Sequence, residues 1–174
     1  MTENKFNGRL ILLTSSDGHL IPDIDTDQIF HNQYLHITEM AEMGRYALGN
    51  LEGWTDFPNL ARPGDVLVAG PNFGSGSSRQ HAVDCFRALG VRLIIAESFG
   101  AIYKRNAINS GMPIIEFEQV GKLLSDGRWS HLQAVDVDLN SGHLTAGASG
   151  ETFSLPPLSK VQRDIMAKGS LLSI

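Results

Sequence analysis

Apolar residues arrive in short unbroken runs through the first two thirds of the chain, and in single alternation with polar ones afterwards. RLILLT (Arg9–Thr14) is rich in branched side chains and ends in the polar run SSDGH, which predicts a strand entering a loop. DVLVAG (Asp65–Gly70), VRLIIAES (Val91–Ser98) and MPIIEF (Met112–Phe117) repeat that form and predict three further buried strands. Between them the spacing turns helical. One helix, capped by Ser77 or Ser78, is predicted through Leu89, with Gly90 at its C-terminal cap. A second covers 99–109, with Phe99, Ile102, Tyr103, Asn106 and Ala107 at helical spacing, and is ended by Gly111 and Pro113. Thr38 is placed to cap a short helix over Glu39–Gly44, and Asn50–Asp65 reads as loop.

Strand–helix–strand–helix–strand with short links implies a partly parallel sheet and right-handed crossovers. The tail differs. AVDVDLNSGHLTAG (Ala134–Gly147) alternates around Asn140–Gly142 and predicts a hairpin; ETFSL adds a strand, and Pro157–Gly169 predicts a terminal helix starting near a proline. The expected fold class is α/β: a single domain over 1–174, with a mixed, partly parallel sheet, flanking helices, and a C-terminal hairpin plus helix.

With 42% hydrophobic and 19% charged residues, the chain has the makings of a sizeable core. A formal charge of −5 without a long Lys/Arg block argues against nucleic acid as the partner. Cys85 is the single cysteine, which excludes an intrachain disulfide and an all-cysteine metal site. The apolar stretch Leu10–Leu13 is too short for a signal-peptide core or a membrane span, so a cytoplasmic protein without a membrane partner is expected.

The stretch GPNFGSGSSRQHA, residues 70–82, stands apart. A Gly/Ser loop between a strand and a helix exposes backbone N–H groups, and the helix start adds partial positive charge, which together suit a phosphate or a carboxylate. A phosphate-binding P-loop needs a lysine before its Ser/Thr, and none lies between Gly70 and Leu89. The dinucleotide fingerprint also falls short, because Arg79 stands where its third glycine belongs. Arg79 is instead suited to fork a carboxylate. On spacing alone, a small-carboxylate site and a plain capped turn both remain open.

NFGSGSSRQHA (Asn72–Ala82) followed by GVRLIIAESFGAIYKRNAINSGMPII (Gly90–Ile115) resembles the swivelling domain of the aconitase superfamily, in particular the free-standing small subunits of 3-isopropylmalate dehydratases and their homoaconitase-type relatives. DIDTDQI (Asp23–Ile29), then QYL (Gln33–Leu35), is similar to that family's other hallmark, in the right order. The resemblance spans roughly residues 20–36 and 64–116. It implies a hydro-lyase of leucine biosynthesis that moves water between adjacent carbons of a di- or tricarboxylate, with an iron–sulfur cluster taking the substrate hydroxyl and a serine alkoxide removing the neighbouring proton. Carried over by position, Ser77 is the base, Ser78 assists it, and Arg79 clamps a carboxylate. The resemblance also implies substrate contacts from Thr26, from Gly74 and Gly76, and from Tyr34, Leu35, His36 and Ile37 on a loop that reads the substrate's variable group. A cubane with one open iron needs about three protein thiolates. One cysteine does not suffice, so no cofactor is expected on this chain, and a 4Fe-4S cluster is expected on a separate large subunit in a heterodimer or heterotetramer.

The chain departs from the family at Phe30 and His31, where proline is frequent, and at Gln80, where an acidic residue is frequent. Asp23, Asp25 and Asp27 lack EF-hand spacing and read as turn-capping groups. Lys104 and Arg105 read as a solvated helix face, Asn106 as a structural hydrogen bonder and His81 as a packed or capping residue. Trp54 and Trp129 read as loop residues suited to an interface. Two readings of other classes stand beside the hydro-lyase: a stand-alone phosphate- or nucleotide-binding module, and a non-catalytic subunit that only closes a partner's site.

Overall fold

The computed structural model describes residues 4–170. Seven strands, β1 (Lys5–Leu12), β2 (Val66–Ala69), β3 (Leu93–Ala96), β4 (Ile114–Glu116), β5 (Ala134–Asp138), β6 (His143–Ala146) and β7 (Thr152–Ser154), form one mixed sheet in the order β4-β3-β2-β1-β5-β6-β7. β1 serves both halves. Its C-terminal part runs parallel to β2, with Leu10 opposite Val66, and its N-terminal part runs antiparallel to β5, with Lys5 opposite Asp138.

Every residue of β2 and β3 is buried, as parallel strands covered on both faces require. The period of two then sorts their side chains into two cores. Ile11, Leu67, Ile94 and Ile114 point to one, shared with Phe30, Phe73, Phe86 and Tyr103; Leu10, Val66, Leu93 and Ile115 point to the other, shared with Trp129, Leu144 and Phe153. The first core lies under α1 (Thr26–Ile29), α2 (Met40–Met43), α3 (Phe57–Leu60), α4 (His81–Ala88) and α5 (Ala101–Asn109). The second is completed by α6 (Val120–Ser125), α7 (Lys160–Lys168) and the antiparallel strands.

The α/β class, the mixed sheet, the hairpin and the terminal helix match expectation. Several local readings are corrected. β1 begins at Lys5 rather than Arg9, α3 is a short helix within the 50–65 stretch expected as loop, and α6 carries no earlier expectation. Thr38 does not cap α2; Glu39 holds that position and makes no side-chain cap. α7 starts after Ser159, which forms a reciprocal capping box with Gln162, so Pro157 lies outside the helix. Trp54 and Trp129 occupy loops yet are buried, so neither presents an interface. The Trp54 indole donates to the Thr14 carbonyl at 2.9 Å, while Trp129 packs against Phe117 and Phe153. Among the described residues, no helix is long and apolar enough to cross a membrane.

Candidate active site at the Gly/Ser loop

Parallel strands deliver their connecting loops to one edge of the sheet, where open α/β folds place their ligands. The loop leaving β2 is stitched there to the crossover from β1 by main-chain hydrogen bonds. Asp23 N–H donates to the Pro71 carbonyl (3.0 Å), Gly74 N–H to Ile24 (2.7 Å) and Thr26 N–H to Ser75 (2.9 Å). On its other side, Phe73 N–H donates to Ser98 and Gly100 N–H to Phe73. The DIDTD and GSGSSR motifs, distant in sequence, are therefore neighbours along one seam. Gly74 sits at its tightest point: φ is +81°, and a Cβ there would lie 2.2 Å from Cγ of Tyr103. Only glycine meets both demands.

Beyond Gly76 (φ +95°) the chain emerges into solvent, and Ser77 and Ser78 are exposed. α4 starts at His81, with Gln80 in the cap position and no side-chain cap, so neither serine caps it, contrary to the sequence expectation. Asn106, on α5, donates to Ser78 Oγ at 2.9 Å, which gives the expected hydrogen bonder its partner. Among the described residues, Ser77 Oγ has no hydrogen bond.

Arg79 is largely enclosed, its side chain 14% exposed. Its Nη1 donates to Asp27 Oδ1 at 2.8 Å and to the Phe30 carbonyl at 3.0 Å. Both contacts use one nitrogen, so among the described residues Nε and Nη2 stay available to fork a carboxylate. Asp27 also accepts from Asn32 N–H and Asn50 Nδ2. The hydrogen bond from Arg79, helped by the Asn32 amide and the nearby charges, holds its carboxyl below the ordinary range against the opposing effect of burial. Asp27 was read as a turn cap; it is also the tether of Arg79. Gln80 plays no part in that tether and bonds Asp84 and Ser110 instead.

The other expected residues divide by placement. Thr26 is 3% exposed, and its Oγ1 faces Gly76, where a Cβ would come within 3.5 Å. Asp25 caps α1 through a capping box with Gln28. Tyr34 stacks on Tyr46 at 4.0 Å between centroids and meets Phe30 edge-on. Leu35 (38% exposed) and His36 face outward, the latter bonded to the Gln33 carbonyl through Nδ1. Ile37 is turned into the first core at 7% exposure, so its side chain anchors the loop and does not face the open site.

Cys85 is buried, and burial pushes its thiol well up. Among the described residues, no group of three or more His, Cys, Asp or Glu is placed to hold a metal ion. A groove of about 710 Å³ lies away from this loop, lined by Lys5, Phe6, Arg92, Asp136 and His143, and brings none of the loop's serines or Arg79 together.

Residues 28–120 match the family model of the aconitase C-terminal domain, a span that contains Ser77–Arg79. The small subunit of 3-isopropylmalate dehydratase from Caldicellulosiruptor bescii is 39% identical over 150 residues, covering 86% of each chain. The chain belongs to this family of small subunits. The isopropylmalate/citramalate isomerase small subunit of Methanocaldococcus jannaschii is 34% identical over 150 residues, covering 86% of this chain and 85% of that one. The crystal structure of 3-isopropylmalate dehydratase from the same organism superposes with a TM-score of 0.79 at 30% identity, covering 97% of this chain and 92% of that one. Asp27 lies just outside the matched span. Its role shows only when the fold closes a gap of 52 residues, since nothing local in DIDTDQI marks one aspartate as an arginine partner.

Proposed function

We propose that this chain, acting as one domain over 1–174, is the small subunit of a hydro-lyase that interconverts 2-isopropylmalate and 3-isopropylmalate by dehydration and rehydration in the cytoplasm. Its partner is a large subunit carrying a 4Fe-4S cluster, which when bound would supply the Lewis acid for departure of the substrate hydroxyl. One observation carries the reading: Ser77 projects freely from the loop whose next turn holds Arg79, oriented by Asp27 with two nitrogens to spare.

In this scheme Ser77, as alkoxide, accepts the proton from the carbon beside the substrate carboxylate and becomes a hydroxyl; it returns the proton when water adds back. A serine alkoxide is costly at neutral pH, and the neighbouring guanidinium and the start of α4 lower that cost. Arg79 holds the carboxylate so that the C–H bond faces Ser77, and closure against the large subunit excludes water. Ser78, steadied by Asn106, lies beside the base; Thr26, Gly74 and Gly76 form the wall behind it. Leu35, an exposed apolar side chain on the loop 34–38, favours an isopropyl group over a further carboxylate.

The test is reconstitution with a cluster-bearing large subunit under anaerobic conditions. Turnover of 2-isopropylmalate is expected, and Ser77→Ala lowers it by about 10²–10⁴-fold, with the pair still co-eluting. Unchanged turnover in that variant removes Ser77 as the base. A preference for a tricarboxylate assigns the homoaconitase-type reaction instead. Nucleotide binding to the isolated chain by calorimetry would favour the binding-module reading.

A further inference from the structure

His81, expected as a packed or capping residue, has no part in the site described above. It opens α4, directly after the Ser77–Gln80 stretch, and its ring does two things at once. Its Nε2 meets the Ile37 carbonyl at 2.8 Å, and its face lies 5.1 Å from the ring of Phe30 at a 33° tilt. A carbonyl only accepts, so Nε2 carries the proton in this contact and the tautomer is fixed by it. Phe30 in turn lends its own carbonyl to Arg79. The histidine therefore touches the loop 34–38 on one side and the residue that helps hold the arginine on the other.

That loop has two anchors. Tyr34 is fixed by stacking on Tyr46, and Ile37 is sunk in the core with its carbonyl taken by His81. Leu35 and His36, between the anchors, are the outward-facing pair. The Tyr34 anchor belongs to the loop's own side of the molecule, whereas the His81 anchor is made from the Gly/Ser loop's helix. It joins the far end of the loop directly to the helix that follows the Arg79 clamp, beside the links that Phe30 makes to Tyr34 and to Arg79.

We propose that His81 is a positioning residue for substrate selection: by holding the Ile37 carbonyl, it fixes the loop 34–38 against the arginine clamp, so that the substrate's carboxylate and its variable alkyl group are read in register. This rests on the hydro-lyase reading. The residue touches no reacting atom, so its loss affects discrimination between substrates more than turnover of the best one.

The experiment compares His81→Leu, which keeps bulk without a donor, with His81→Gln, whose Nε2 can reach the same carbonyl. Each full-length variant is reconstituted with the large subunit and assayed on isopropylmalate and on citramalate, which bears a methyl in place of the isopropyl group. In His81→Leu the ratio of kcat/KM for the two acids is expected to fall about five- to tenfold, the worth of one hydrogen bond, chiefly through KM. His81→Gln restores it. In parallel, amide hydrogen exchange of residues 34–38 accelerates in the isolated His81→Leu chain and not in His81→Gln. Should His81→Leu fail to fold, His81→Asn, too short to reach the carbonyl, takes its place. An unchanged ratio with unchanged exchange overturns the positioning role while leaving the hydro-lyase reading intact. A wild-type pair inactive on both acids overturns the reading on which it rests.

Discussion

The two halves of the sheet share β1 and little else in their working. In the parallel half, β4-β3-β2-β1, strands of three or four residues suffice for each new pairing because both faces are covered, and each strand is followed by a long excursion over the surface. Those excursions hold Asp27, Ser77, Arg79 and the loop 34–38. In the antiparallel half, β5-β6-β7, neighbours follow each other through tight turns at 139–142 and 147–151, too short to carry a constellation. Its contribution is burial: Val135, Val137, Leu144 and Phe153 close the second core over Trp129. One half supplies loops that meet, the other a surface to stand on. Chemistry follows connection length, not burial.

If that division holds, damage to the antiparallel half is felt in stability alone. Phe153→Ala removes a ring that packs edge-on against Trp129 at 5.6 Å and lies under the Arg128 guanidinium. A loss of about 3–5 kcal/mol is expected in urea unfolding, with turnover per assembled pair unchanged. A large fall in turnover per complex would erase the distinction between the halves. Arg79→Lys is the converse. It keeps the charge but not the fork, and kcat/KM is expected to fall about a hundredfold, while stability shifts by no more than about 1 kcal/mol because lysine keeps a cation beside the half-exposed Asp27 carboxylate.

The smallest effect concerns pH. Asp27 titrates lower in the fold than in the unfolded chain, so the stability its pair with Arg79 provides is present above the ordinary carboxylate value and is lost as pH falls through the depressed one. The stability difference between wild type and Asp27→Asn should therefore be visible at neutral pH and shrink on acidification past the carboxylate range. Since the carboxylate is 40% exposed, the difference is modest. A gap that widens in acid would mean that the pair is not what distinguishes them.

What could be read from the chain follows the same division. VLVA and LIIA announce themselves because a strand buried on both faces has no polar position to disguise it. The first half of β1 does not, since KFNGR mixes charge with a glycine that resembles a turn. Gly8 is there for close approach, as a Cβ would lie 2.0 Å from the Gly64 carbonyl. Composition alone makes the serines helix caps, and the structure overturns this, because positive φ at Gly76 delays the helix until His81. The tether from Asp27 and the bond from His81 to Ile37 belong to tertiary closure, and no local pattern encodes them. Trp54 and Trp129 misled for a related reason: a tryptophan in a loop looks like an exposed surface until the loop is seen to fold over a core.

The burial of Cys85 has a practical side. With its sulfur enclosed within α4 and its thiol strongly disfavoured from ionising, the native chain is close to silent toward thiol-reactive reagents while folded. A cysteine introduced on the surface can thus carry a spin label or fluorophore without the natural one being removed, and the approach of the small subunit to its partner becomes measurable as a distance.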